Sequence, residues 1–235
     1  MSAESPSGRV AALVPAAGKG ERLGPGVPKA LREISGTPML VHAVKALASS
    51  PLVEVVVVAA PEVHVEEVRA LLSQQEFGAE VSVVAGGESR SESVARALFA
   101  LPDDVDVVLV HDAARPLVPV EVVTNVAAAI REGHDAVVPV LAVVDTIKSV
   151  NDQGRITGTV PRDQLRATQT PQGFRREVLQ RAHAEVDSPV TDDAGMVESL
   201  GIDVHAIDGH EEAFKVTRPL DFLLAESVIA KRRVR

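Results

Sequence analysis

Three stretches of this sequence combine small residues with charge in an order that suits phosphate chemistry. The first, Pro15-Ala16-Ala17-Gly18-Lys19-Gly20-Glu21-Arg22-Leu23-Gly24, directly follows the apolar run Val10–Val14. Small residues let backbone N–H groups approach an anion closely, and Lys19, Arg22 and Lys29 of the following Pro28-Lys29 bring cations to the same strand end. Such a cluster points to a triphosphate. The loop is not a Rossmann fingerprint, because Leu23 stands where the third glycine belongs, nor a Walker A loop, because Gly20 rather than Ser or Thr follows Lys19.

The second stretch, Gly86-Gly87-Glu88-Ser89-Arg90-Ser91-Glu92-Ser93, leads into a helix. It reads either as a glycine turn with a serine cap and a capping-box-like glutamate, or as a base site in which Gly87 admits a flat ring and Ser93 hydrogen-bonds a pyrimidine edge. The third, His111-Asp112-Ala113-Ala114-Arg115-Pro116, follows the apolar run Val107–Val110. Asp112 is a candidate Mg²⁺ ligand, since this hard cation takes a few carboxylates together with phosphate oxygens and water. Pairing with Arg115 to hold the loop is the alternative. His111 reads as structural, because nothing near it in sequence orients it as a general base. Further polar groups stand in non-periodic sequence at Asp145-Thr146-Ile147-Lys148, Arg162, Ala167–Gln172, Thr191-Asp192 and Lys215–Pro219. Neither a G-x-S-x-G elbow nor an H-E-x-x-H helix occurs, so serine-hydrolase and zincin chemistry have no support.

Positioning these groups falls to short valine-rich runs alternating with stretches of helical period. Strands are expected at Val10–Val14, Val53–Ala59, Val81–Val84, Val107–Val110, Ala136–Val140 and Val204–Ile207, apolar enough to be buried on both faces. Helices are expected at Met39–Ala48, Glu62–Leu72, Ser91–Leu101, Val120–Arg131, Arg176–Ala184, Asp192–Leu200 and Leu220–Lys231. This alternation builds an α/β fold, a mostly parallel Rossmann-like sheet with helices on both faces, and ligands then bind beyond the carboxyl ends of the strands. From 143 to 174 the alternation breaks, with Thr146–Val150 and Arg155–Val160 flanking the turn Asn151-Asp152-Gln153-Gly154. We read 143–174 as a projecting β-arm that embraces a second subunit, 9–142 with 175–235 as the main domain, and 1–8 as a frayed tail.

Composition narrows the function further. The chain has 235 residues, 46% hydrophobic and 24% charged, with no Trp or Tyr, so it buries a core of aliphatic side chains without staples. Absence of Cys excludes disulfides, thiolate catalysis and Cys-ligated zinc. A formal charge of -9 argues against nucleic-acid or anionic-membrane binding. Bound anions therefore require local positive charge. No apolar run reaches the length of a membrane span, and the expected compartment is the cytoplasm.

Taken in order, Ala16-Ala17-Gly18-x-Gly20-x-Arg22, Pro28-Lys29, Gly87…Arg90…Ser93, His111–Pro116, Asp145-Thr146, Thr170-Pro171-Gln172 and Lys215-Val216-Thr217 resemble the 2-C-methyl-D-erythritol 4-phosphate cytidylyltransferases, from about Val10 to Glu226. The resemblance implies a nucleotidyltransferase fold, a homodimer, Mg²⁺ dependence, and reaction of CTP with methylerythritol phosphate in non-mevalonate isoprenoid synthesis. It also implies roles for residues. Arg22 and Lys29 would bind the triphosphate and stabilise the reacting phosphoryl group. Ala16, Ala17, Gly18, Gly20, Gly87 and Ser93 would hold the nucleotide, and Asp112 would hold Mg²⁺, with Ala113 near the ribose. Thr146, Arg162, Thr170, Thr191 and Lys215 would bind the polyol phosphate, Lys215 also touching the reacting phosphate and Arg162 reaching across the dimer. Glu88 stands where the family commonly has Asp, and Ala30 where Gln is usual.

That chemistry suits these residues. A phosphate monoester is largely ionised at neutral pH, its second pKa being about 6, so its attack needs no general base. Catalysis reduces to positioning and charge neutralisation. Two alternatives stand beside it: a cytidylyltransferase for another polyol phosphate such as ribitol 5-phosphate, and a non-catalytic nucleotide-binding module. Retention of Arg22, Lys29, Asp112 and Lys215 together weighs against the second.

Overall fold

The computed structural model describes residues 7–18, 28–186 and 191–233. Its centre is an eight-stranded sheet. Strands β1 (Arg9–Pro15), β4 (Val53–Ala60), β5 (Glu80–Ala85) and β6 (Val105–Val110) run parallel in the order β6-β1-β4-β5. Beyond β6, the short strand β11 (Gln172–Arg175) is inserted antiparallel between β6 and β7 (Ala136–Ala142). On β7 also pair β10 (Arg166–Thr168), antiparallel, and β12 (Val204–Asp208), parallel.

Alternation along the strands explains why helices cover both faces. Val10, Ala12 and Val14 of β1 pack on one side with α1 (Met39–Ala48), α2 (Val65–Ser73) and α4 (Val120–Arg131). Ala11 and Leu13 face the other side, against α3 (Arg90–Phe99), α5 (Arg176–Glu185) and α6 (Asp193–Ser199). With both faces covered, continuous apolar strands leave no polar face to hydrate. Phe174 in β11 is fully buried in the second cluster, and truncating such a side chain costs about 3–5 kcal/mol. A third, smaller cluster joins α7 (Pro219–Arg233) through Ala225 and Ile229 to Ile34, Met39 and Leu117.

Two features differ from expectation. A hairpin of β2 (Glu33–Ile34) and β3 (Thr37–Pro38) turns at Ser35-Gly36, both residues at positive φ, a turn signal the periodic reading passed over. The arm is also shorter than 143–174. Its hairpin, β8 (Ile147–Val150) and β9 (Ile156–Val160), forms a two-stranded sheet of its own, but β10 and β11 belong to the main sheet. Their composition hid them: β10 is short and exposed, and Gln169 beside it and Gln172 in β11 are polar yet buried, each with its own partner. The Gln169 amide makes two hydrogen bonds to the backbone of His210, and Gln172 receives Ala194 N–H while donating to Asp192. Antiparallel pairing slips by two residues between Thr168↔Val140 and Gly173↔Val137, next to Pro139, which has no N–H to offer that side of the ladder.

Candidate active site

A cleft of ≈ 230 Å³ opens beyond the carboxyl ends of β1, β5 and β6, lined by Ala16, Ala17, Gly18, Lys29, Gly87, Glu88, Ser89, Arg90, Ser93, Asp112, Ala113 and Lys215 among others. It carries the cations Lys29, Arg90 and Lys215 against the carboxylates Glu88 and Asp112. On a chain of charge -9, this is the local reversal an anionic ligand needs.

Each wall has a local cause. Lys29 opens a single 3-10 turn, Lys29–Leu31, after Pro28, and Arg32 O accepts from Met39 N at 2.9 Å, which ties the segment to the start of α1. The Gly86–Ser93 loop is built on contacts only glycine permits. A Cβ on Gly87 would lie 2.3 Å from the Glu92 side chain, and one on Gly86 2.6 Å from Ala17 Cβ. Ser89 caps α3 by accepting from Glu92 N, and Glu92 reaches back to Glu88 N. Ser93, which lines the cleft, accepts from Gly87 N at 3.0 Å and donates to Ser89 O at 2.9 Å, which leaves its oxygen one lone pair. Lys215 is placed by Val216 N–H donating to Ala114 O at 2.8 Å.

Asp112 is the electrostatic centre. Its carboxylate meets Lys215 Nζ at 2.7 Å and Arg90 Nε at 3.2 Å, with Arg115 Nε farther off at 3.9 Å. Burial by itself would raise its pKa, but Arg90, Lys215 and Arg115 outweigh burial and hold it well below the usual carboxylate range. Behind it lies a directional chain. Asp112 N–H donates to Thr170 Oγ1 (3.0 Å), whose hydroxyl faces His111 Nδ1 (3.0 Å), while His111 Nε2 faces Arg115 O (3.1 Å). Because a carbonyl can only accept, His111 carries its proton on Nε2 and accepts a hydrogen bond from the Thr170 hydroxyl at Nδ1. Burial lowers the His111 pKa to about 4.

Residues 10–231 match the family described as IspD, 2-C-methyl-D-erythritol 4-phosphate cytidylyltransferase. The chain belongs to that family. It is 59% identical over 225 residues to the 2-C-methyl-D-erythritol 4-phosphate cytidylyltransferase of Frankia casuarinae, covering 96% of this chain and 83% of the relative. To the enzyme of that name from Streptomyces avermitilis it is 56% identical, covering 98% and 96%. The crystal structure of the Thermus thermophilus 2-C-methyl-D-erythritol 4-phosphate cytidylyltransferase superposes with a TM-score of 0.75 at 32% identity, covering 93% of this chain and 98% of that one.

In this family member the cleft gathers Ala16, Ala17, Gly18, Lys29, Gly87, Ser93, Asp112, Ala113 and Lys215 from the expected set. Gly20 and Arg22 lie outside the described residues. Gly87 lines the cleft, and the Glu92 side chain fills the space its Cβ would take. One expectation is corrected. Thr170 is 4% exposed and its hydroxyl serves Asp112 and His111 instead of facing the cleft. Asp112 has Lys215 and Arg90 as its near partners, and the alternative Arg115 pairing is present as well at 3.9 Å, with Arg115 also donating to Ala213 O and Thr168 O. Thr146 is exposed on the arm, Arg162 donates to Val144 O at its base, and Thr191 is exposed before α6, none of them lining the cleft of this chain. His111 is structural, as expected.

In the sequence Arg90 stands only as part of the Gly87…Arg90…Ser93 motif. A cation on the first residue of a helix opposes the helix dipole, and that mismatch was the available signal of a specific partner.

Proposed function

We propose that the chain transfers the cytidylyl group of CTP to 2-C-methyl-D-erythritol 4-phosphate, giving 4-diphosphocytidyl-2-C-methyl-D-erythritol and pyrophosphate in non-mevalonate isoprenoid precursor synthesis. One observation carries the reading: in a chain of this family, Lys29 and Lys215 line a single cleft with Asp112 and the Gly86–Ser93 loop.

A phosphate oxygen of the sugar alcohol attacks the α-phosphorus of CTP, and the bond from that phosphorus to the bridging oxygen breaks as pyrophosphate leaves. The monoester is already ionised, so no side chain need remove a proton, and His111, buried and engaged at both nitrogens, is not asked to. Lys29 and Lys215 offset the charge of two anions brought together; Arg22 joins them on the strength of the resemblance. The last lone pair of Ser93 suits the exocyclic amine of cytosine, a donor. Mg²⁺ fits as an ion carried in with the nucleotide: Asp112 supplies one hard oxygen donor, phosphates and water supply the rest, and among the described residues no cluster of His, Asp or Glu forms a self-sufficient metal cage. When bound there, it would neutralise triphosphate charge.

The arm supports a homodimer. Val144, Val150 and Ile156 are each at least 60% exposed on it, and a two-stranded hairpin is marginal alone. Thr146 and Arg162 would then reach the sugar phosphate of the second subunit. Among the described residues no helix is long and apolar enough to cross a membrane, and the cytoplasm is the compartment we propose.

Pyrophosphate release tests the reaction, with CTP and Mg²⁺ supplied alongside methylerythritol phosphate, ribitol 5-phosphate or no acceptor. Release with methylerythritol phosphate alone is expected. Faster release with ribitol 5-phosphate, or CTP binding without any release, would overturn the assignment.

A further inference from the structure

We infer that Arg90 and Asp193 form a positioning pair that fixes the carboxylate of Asp112 in the cleft. The inference rests on the cleft being the cytidylyl-transfer site.

Arg90 is the first residue of α3, and its guanidinium bridges two buried carboxylates from different elements. Its Nε meets Asp112 Oδ1 at 3.2 Å and its Nη1 meets Asp193 Oδ2 at 2.6 Å. Asp193 is 1% exposed at the start of α6 and does not line the cleft. His183 Nε2 lies 3.3 Å from Asp193 Oδ1, near enough to pair but not aligned as a hydrogen bond, so Arg90 is the aligned side-chain partner of Asp193. A planar guanidinium held at both ends cannot swing toward a ligand as a lysine can. It therefore works on Asp112.

The two oxygens of Asp112 have different neighbours. Oδ1 is held by Arg90, itself anchored to α6, whereas Oδ2 is held by Lys215, whose side chain is 41% exposed. Exchange of partners at Oδ2, when a nucleotide arrives, leaves Oδ1 and the carboxylate plane where they were. Without the Asp193 anchor, Arg90 would follow Asp112 and hold nothing still.

Asp193→Asn keeps the size of the side chain, removes its charge and changes no residue that lines the cleft. With pyrophosphate release by the parent enzyme establishing the reaction, this variant is expected to lower kcat/KM for CTP by about 10- to 100-fold, as loss of an orienting partner does. Its affinity for CTP with Mg²⁺, measured by calorimetry without the sugar phosphate, should weaken alongside. Arg90→Lys should do the same, and the double variant should be no worse than Arg90→Lys alone, since both act through one contact. A purely structural role would lower Tm and leave the folded enzyme with the parent's kcat/KM and affinity. Values for Asp193→Asn within about twofold of the parent, or a double variant whose losses multiply, would overturn the inference. If Asp193→Asn does not fold, Arg90→Lys is judged by the same two readouts.

Discussion

Acidification should expose the cost of keeping His111 neutral. The ring is fully buried, with Nδ1 accepting from Thr170 and Nε2 donating to Arg115 O. Protonation at Nδ1 would make the ring a donor toward Thr170, so the hydroxyl that now donates to it would have to turn away and accept from both His111 and Asp112 N–H. The folded pKa is lowered from 6.5 to about 4, so the unfolded chain binds the proton more readily. Stability from this group is therefore fully present above the unfolded value and is lost as pH falls toward the folded one. At about 1.4 kcal/mol for each pH unit, the whole loss is about 3 kcal/mol, of which about 2 kcal/mol is gone by about pH 5. Urea unfolding of the parent and of His111→Gln at a series of pH values measures it. The variant should be less stable near neutrality by about 1–3 kcal/mol, because Thr170 loses its acceptor, and the gap should close on acidification. His42, whose pKa burial also lowers, is common to both proteins and cancels. Parallel stability curves between about pH 7 and about pH 5 would refute this account of His111.

Removing either ammonium, Lys29→Ala or Lys215→Ala, should lower turnover by on the order of 100- to 1,000-fold, and steady-state kinetics near the parent's would contradict their placement in the cleft. Gly86→Ala should destabilise by about 1–3 kcal/mol through overpacking, since its Cβ would stand 2.6 Å from Ala17 Cβ and 3.0 Å from Ser93 Oγ. Gly18→Ala meets nothing within 4 Å, so thermal unfolding should match the parent while KM for CTP rises; a lowered Tm would count against an open cleft there. If the arm holds the proposed homodimer together, Ile156→Glu should shift the mass in light scattering from dimer toward monomer, and an unchanged mass would remove the apolar arm as the dimer's cause.

The parallel half of the sheet and its helices were legible because buried strands here are nearly pure Val, Ala and Leu, and because α1 and α4 keep a clean apolar stripe. Both helices begin and end where the periodicity places them. Much of the cleft was legible too, since the loops after β1, β5 and β6 are where this topology puts ligands. What the chain did not disclose in one dimension is where polar groups point. Thr170 and Gln172 look like ligand-binding residues in a loop, yet they lie in or beside a buried strand, each satisfied by a partner at least 20 residues away in sequence. Asp193 looks like ordinary helix-start chemistry, and only its separation of 103 residues from Arg90, closed in space, gives it another meaning.

Interposing β11 between β6 and β7 has a consequence for biosynthesis. Everything through Val110 can assemble as a four-strand parallel sheet as it leaves the ribosome, but the far flank of β6 has no neighbour until Gln172–Arg175 is made. Val107–Val110, all fully buried in the finished fold, would wait through more than 60 residues of elongation as a sticky, unsealed margin. Ribosome-stalled or truncated chains ending between β6 and β11 should thus recruit holdase chaperones or coaggregate, whereas those reaching past Arg175 should not.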